Sequence, residues 1–237
     1  MKLTRSLFAG LLAIPLSFLA VSAQAATVSG EANIAGNVTV QGGNVTFAPT
    51  FTSTTGAMET GDFAGLTGGS IKSLTGGPAT GMLANPVTDF VTFTNGVANT
   101  VHFDLTYIAP GVGTQAGCSS AAPGAECTPT GSPFTLFQIS SNTVLASLQL
   151  NGVSYTGSAS TGTSPTVSIF STQSAINGTI PDIYNTLVSG GAVSGVTYSA
   201  SFVATPAPSV PEPASMMLMG LGLVSAGLVA RRKMVKN

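Results

Sequence analysis

From residue 27 to residue 205, apolar and polar positions alternate in short stretches broken by Gly, Asn and Pro. Period two is the signature of strands with one face buried. In NVTVQGGNVTF, Val38 and Val40 stand against Val45 and Phe47 across Gly42-Gly43. This predicts a hairpin whose two-residue turn needs positive φ. DFVTFTNGVANTVHFDLTY repeats the arrangement around Asn95-Gly96 and places Val101, Phe103, Leu105 and Tyr107 on one face. VLASLQLNGVSYTG sets Asn151-Gly152 between two runs of strand formers, which predicts a third hairpin. PTVSIFS reads as a further strand. GVTYSASFVA puts Val196, Tyr198, Ala200, Phe202 and Ala204 in strict alternation.

One stretch departs from this period. In PDIYNTLVSGG, Pro181 suits a first helical turn, Ile183/Leu187 and Tyr184/Val188 make i,i+4 pairs, and Gly190 can end the helix. Residues 58–84 are Gly-rich and weakly periodic, a loop with one strand around Ile71. Eight to ten short strands separated by turn signals predict a mostly β domain, an antiparallel sandwich with jelly-roll or immunoglobulin-like layers. The predicted domain spans residues 26–205, between an N-terminal signal helix and a C-terminal transmembrane helix.

The two ends have a different composition. Residues 1–6 carry Lys2 and Arg5, an apolar run follows, and Ala23-Gln24-Ala25 places small residues at the −3 and −1 positions. That order describes a secretory signal peptide over residues 1–25, with cleavage after Ala25; an uncleaved anchor is the other reading. Separating the ends changes the charge. The chain has a net charge of −1, but Lys72 is the one cation of the central domain, against Glu31, Glu59, Asp62, Asp89, Asp104, Glu126 and Asp182. The domain therefore carries −6, spread thinly, which excludes nucleic acid and anionic lipid as electrostatic partners.

Cys118 and Cys127 begin and end CSSAAPGAEC. In an exported chain they read as one disulfide closing a loop, worth about 2–3 kcal/mol by chain entropy. Zinc is the alternative, without a nearby His or second Cys pair to complete its ligands. His102 is the one histidine; on a strand it shares a face with Asp104, opposite Val101, Phe103 and Leu105. Such a pair can orient a base, or simply be a solvent-facing His beside an Asp. No serine sits in a G-x-S-x-G elbow and no spacing nominates a carboxylate pair. Glu59 and Asp62 read as solubilising loop charges, with a calcium loop as the alternative for Asp62. GVGTQAG lacks the spacing and the lysine of a phosphate loop and reads as a turn. Asn37, Asn44 and Asn177 begin glycosylation sequons, frequent by chance in so Asn/Thr-rich a chain. These residues predict no enzyme, no cofactor and no metal.

After the domain, residues 206–213 form a proline-rich linker ending in Pro211-Glu212-Pro213, a composition that favours stiff polyproline II chain. Residues 214–230 are uncharged and 17 long, the short limit for crossing a bilayer core. Arg231, Arg232 and Lys233 then make a basic membrane stop that stays cytoplasmic. Gly222, Ala226 and Ala230 form a small-residue stripe, suited to helix contact or simply membrane composition.

This order of proline-acid-proline triplet, short apolar helix and terminal basic cluster resembles the PEP-CTERM sorting signal, over about 25 residues. The resemblance implies an envelope protein of a Gram-negative-type bacterium. It implies passage through the secretion translocon, a stay in the inner membrane, and processing by an exosortase. It also implies a setting of exopolysaccharide and biofilm at the cell surface or outside it. On it, Pro211, Glu212 and Pro213 are substrate residues; a plain tail anchor is the alternative. A sorting signal is separate from the function of the protein it carries. A carbohydrate- or ligand-binding module, or a secreted hydrolase, are the other classes for the domain.

Overall fold

The computed structural model describes residues 27–53, 59–77, 79–94, 100–157, 159, 163–172, 176–206 and 220–223. Their strands are β1 (Gly30–Gln41), β2 (Asn44–Phe47), β3 (Thr50–Ser53), β4 (Gly68–Ile71), β5 (Gly81–Thr94) and β6 (Thr100–Ile108). They continue with β7 (Glu126–Cys127), β8 (Thr135–Ser140), β9 (Thr143–Thr156), β10 (Ser164–Thr172), β11 (Ile176–Asn177) and β12 (Ala192–Ala204). One helix, α1 (Ile180–Val188), precedes β12.

The antiparallel β character is as predicted, but the layers are not. Strands run in the order β10-β12-β1-β3-β4-β5-β6-β9, and β9 pairs again with β10. The expected sandwich is thus replaced by a closed eight-stranded antiparallel barrel with extra strands. The cause is the third expected hairpin, which does not form. β9 runs straight through Asn151-Gly152, so its residues can pair with β6 on one side and β10 on the other. Gly152 serves close approach rather than a turn: a Cβ there would lie 2.0 Å from the Asp104 carbonyl oxygen and 2.7 Å from the Phe103 ring. Closure also removes the free edges an open sheet would expose.

The Gly42-Gly43 turn signal holds. Gly42 and Gly43 have φ of 57° and 89°, and Val38 pairs with Phe47 and Val40 with Val45. β5 pairs with β6 on either side of the Asn95-Gly96 loop, whose residues lie outside the described ones. Val101, Phe103 and Leu105 are fully buried. A bulge between Leu105 and Tyr107 then shifts the phase, so Ile108 rather than Tyr107 takes the next inward place.

Aromatic rings fill the barrel. Phe202 meets Phe93, Phe103 and Phe170 at 5.1–5.6 Å, and Phe47 meets Phe170 and Tyr198 at 5.3 and 5.2 Å. Two gaps of about 40 and 20 Å³, apolar in lining, are small against ligand pockets of about 300–1,000 Å³.

Strand direction gives the barrel two distinct poles. Thr27 bridges to Tyr155, Gly30 pairs with Ala204, and the Thr205 amide donates to the Pro165 carbonyl at 3.0 Å. The chain therefore enters and leaves at one pole. At the other lie α1, the β1–β2 turn and the long β6–β8 connection with its disulfide. α1 begins with a capping box between Thr179 and Asp182, and its Ile180, Ile183 and Leu187 are buried.

Candidate functional site

The one histidine of the chain is the natural place to start. β6 aims His102 outward, as alternation requires, but its carboxylate partner is not Asp104. The second of two irregularities in β5 pairing, between Val87 and Val91, contains Asp89, which takes a φ of 48° and sets its Oδ1 2.7 Å from His102 Nδ1. Asp104, nearly buried, accepts instead from the Asp89 amide at 2.7 Å and from the Tyr155 hydroxyl at 3.2 Å. Tyr155 also donates to Asp89 at 3.3 Å, and its ring stacks on the His102 ring, centroids 5.1 Å apart. Burial, helped by the two carboxylates, pushes the Tyr155 phenol up to about 12, so it remains a donor at any ordinary pH. The network holds the β5 bulge and, through the Thr27 bridge, the start of the domain. Among the described residues, the side-chain hydrogen bond of His102 is the one to Asp89. Asp89 and Tyr155, 13 and 53 residues from His102 in sequence, carried no signal that could have found them.

Asp62 is likewise consumed within the fold. Its Oδ2 accepts from the Ser29 amide at 2.7 Å and the Ser29 hydroxyl at 3.3 Å. That contact clamps a tight crossing where Gly30 and Gly61 leave no room for a side chain. Glu59 nearby is raised above the usual carboxylate range by burial. Among the described residues no group of three or more His, Cys, Asp or Glu is placed to hold a metal ion. Asn44 of the second sequon accepts from the Gly76 amide at 2.6 Å, while Asn37 and Asn177 are exposed.

Cys118 and Cys127 are joined, with Cα atoms 4.9 Å apart, and both are buried. The bond ties β7 to a short 3-10 helix over Gln115–Ser119, which begins within the GVGTQAG stretch read as a turn and runs past its end. This helix packs beside α1, where Gln115 Nε2 donates to the Tyr184 hydroxyl at 2.9 Å.

The remaining predicted site residues lie outside the described ones: Ala23 and Ala25, Pro211, Glu212 and Pro213, and Arg231, Arg232 and Lys233. Of the predicted transmembrane helix, residues 220–223 are helical, with Leu221 and Leu223 exposed. Among the described residues no helix is long and apolar enough to cross a membrane. Residues 209–233 match the PEP-CTERM protein-sorting motif.

The chain carries a PEP-CTERM sorting signal. This signal implies export, membrane-anchored sorting and processing by an exosortase. The match covers the triplet, the apolar run and the first basic residues, the parts whose order carried the resemblance. No curated protein and no solved structure matches the chain.

Proposed function

We propose that this PEP-CTERM protein is a non-enzymatic component of the cell surface or extracellular matrix, associated with exopolysaccharide. The observation that carries the reading is the attachment of a sorting signal to a barrel whose interior is filled by its own side chains. A filled interior provides stability and surface rather than a reaction chamber. The domain charge of −6 and its wealth of Ser, Thr and Asn keep that surface hydrated without charge runs. In this reading the signal peptide ends at Ala25, Pro211-Glu212-Pro213 is presented to the exosortase as extended chain, and Arg231, Arg232 and Lys233 hold orientation.

Intact mass and cell fractionation of the wild type and Glu212→Ala test it. The wild type should lose its C-terminal helix and appear outside the inner membrane, co-fractionating with polysaccharide. The variant should keep the helix and stay in the membrane fraction. A wild type that retains the helix, or a variant with the same localisation, overturns the sorting reading.

A further inference from the structure

At the pole away from both chain ends, an open depression of about 480 Å³ lies between the Gln115–Ser119 helix and α1. Its size falls within the range of about 300–1,000 Å³ in which small-ligand sites are found. Both walls are held in place. The Cys118–Cys127 bond staples one, and the Thr179–Asp182 capping box fixes the start of the other. Gln115 spans the two: its Oε1 accepts from Thr130 Oγ1 and its Nε2 donates to Tyr184. A ligand here would meet walls already ordered, so less entropy is lost on binding than on a loop surface.

The lining has a consistent chemistry. No residue in it is charged. Asn185 and the Tyr184 hydroxyl provide groups that both donate and accept, and Gln115 has a second amide N–H beyond its bond to Tyr184. The Ser119 hydroxyl, which donates to the Ala116 carbonyl at 2.8 Å, accepts; Pro181 and the Tyr184 ring provide apolar faces. Asn185 is exposed and has no side-chain hydrogen bond among the described residues. Hydroxyls that donate and accept, beside patches of C–H surface, are the complement of such a lining. A pyranose ring has both. An anionic sugar would instead face an uncharged site on a domain of −6.

We propose that this groove binds neutral pyranose units of a polysaccharide, with Tyr184 as the stacking surface and Gln115, Ser119 and Asn185 as hydrogen-bonding groups. The proposal rests on the matrix reading above and locates the contact. Thr27 and Thr205 lie at the opposite pole, so the described ends of the domain do not cover the groove.

Saturation-transfer NMR on the exported protein, purified from its own culture, tests the assignment. The probes are cellotriose, maltotriose and chitotriose, with trigalacturonate as the acidic comparison. At least one neutral trisaccharide should bind and trigalacturonate should not. Asn185→Ala and Ser119→Ala, both at exposed positions, should each weaken binding at least fivefold, and Tyr184→Ala should weaken it most. No transfer from any neutral trisaccharide, preference for trigalacturonate, or unchanged affinity in Asn185→Ala and Ser119→Ala overturns the groove. If these fail while the protein still co-fractionates with polysaccharide, the groove alone falls. If binding succeeds but the protein never leaves the membrane fraction, the matrix reading falls and the groove stands.

Discussion

β10 and β12 are hydrogen-bonded neighbours in one barrel, yet they obey opposite rules. β12 turns Val196, Tyr198, Ala200, Phe202 and Ala204 inward, all buried, as its alternation requires. β10 turns Ser164, Thr166 and Ser168 inward and leaves Val167 and Ile169 on the outside, 43% and 54% exposed. A slip of one residue would reverse every side chain of β10. The native register is the one that puts Phe170 inside, against Phe47, Tyr198 and Phe202. Two of the three inward hydroxyls are accommodated: Thr166 donates to Ser154 at 2.8 Å or to the Ser164 carbonyl at 3.1 Å, and Ser168 reaches the Leu150 carbonyl. The Ser164 hydroxyl is buried without a partner among the described residues. Opposite Thr166 stands Gly152, with the Phe103 ring over it. Small residues on this wall make room for rings from the others. One well-packed aromatic therefore outweighs the phase of two aliphatics.

The largest effect that tests this contrast is on β12. Phe202→Ala should cost about 3–5 kcal/mol in denaturant unfolding, since it removes a ring fully buried among three others. A cost below about 1 kcal/mol would mean the ring cluster does not set the barrel. Next comes alkaline pH. Burial pushes the Tyr198 phenol from its ordinary 10.0 up to about 12, so the folded state holds that proton more tightly than the unfolded one. The stabilisation is complete below pH 10 and is lost as pH rises towards 12, a change of roughly 2–3 kcal/mol. Tyr198→Phe should remove this share, leaving that of Tyr155, and a stability profile unchanged between pH 10 and 12 would refute it.

Smaller effects separate the two faces of β10. Thr166→Val keeps the shape but takes away the donor to Ser154, and should cost about 1 kcal/mol. If it stabilises the protein instead, the inward hydroxyls are tolerated rather than needed. Ile169→Thr, outside, should change stability by less than about 0.5 kcal/mol in the same titration. A large loss there would show that the outer aliphatic row is covered.

How much of this was readable beforehand depends on the range of the interactions. The Gly42-Gly43 hairpin, the period of β12, the helix signalled by Pro181 and the sorting motif are each set by residues near one another in sequence, and each was legible. Asn151-Gly152 carried the same local signal as Gly42-Gly43 and meant something else. Its glycine answers to Asp104 and Phe103, residues almost fifty positions away. Barrel closure followed from that single misread turn. The partner of His102 was hidden for a similar reason, since the β5 bulge that brings Asp89 across has no clear mark in the alternation. The disulfide was legible from its spacing; the groove beside it depends on a helix that packs from 65 residues downstream.

The shared pole of entry and exit also decides how the barrel bears force. A chain held at Thr205 and loaded at the far pole is pulled along β12, whose hydrogen bonds to β1 and β10 run across the line of pull. Both ladders must then slide together before either opens. A pull between the two chain ends would instead peel β1 from β12 one pair at a time. The same fold is thus a strong link in one loading direction and a zipper in the other.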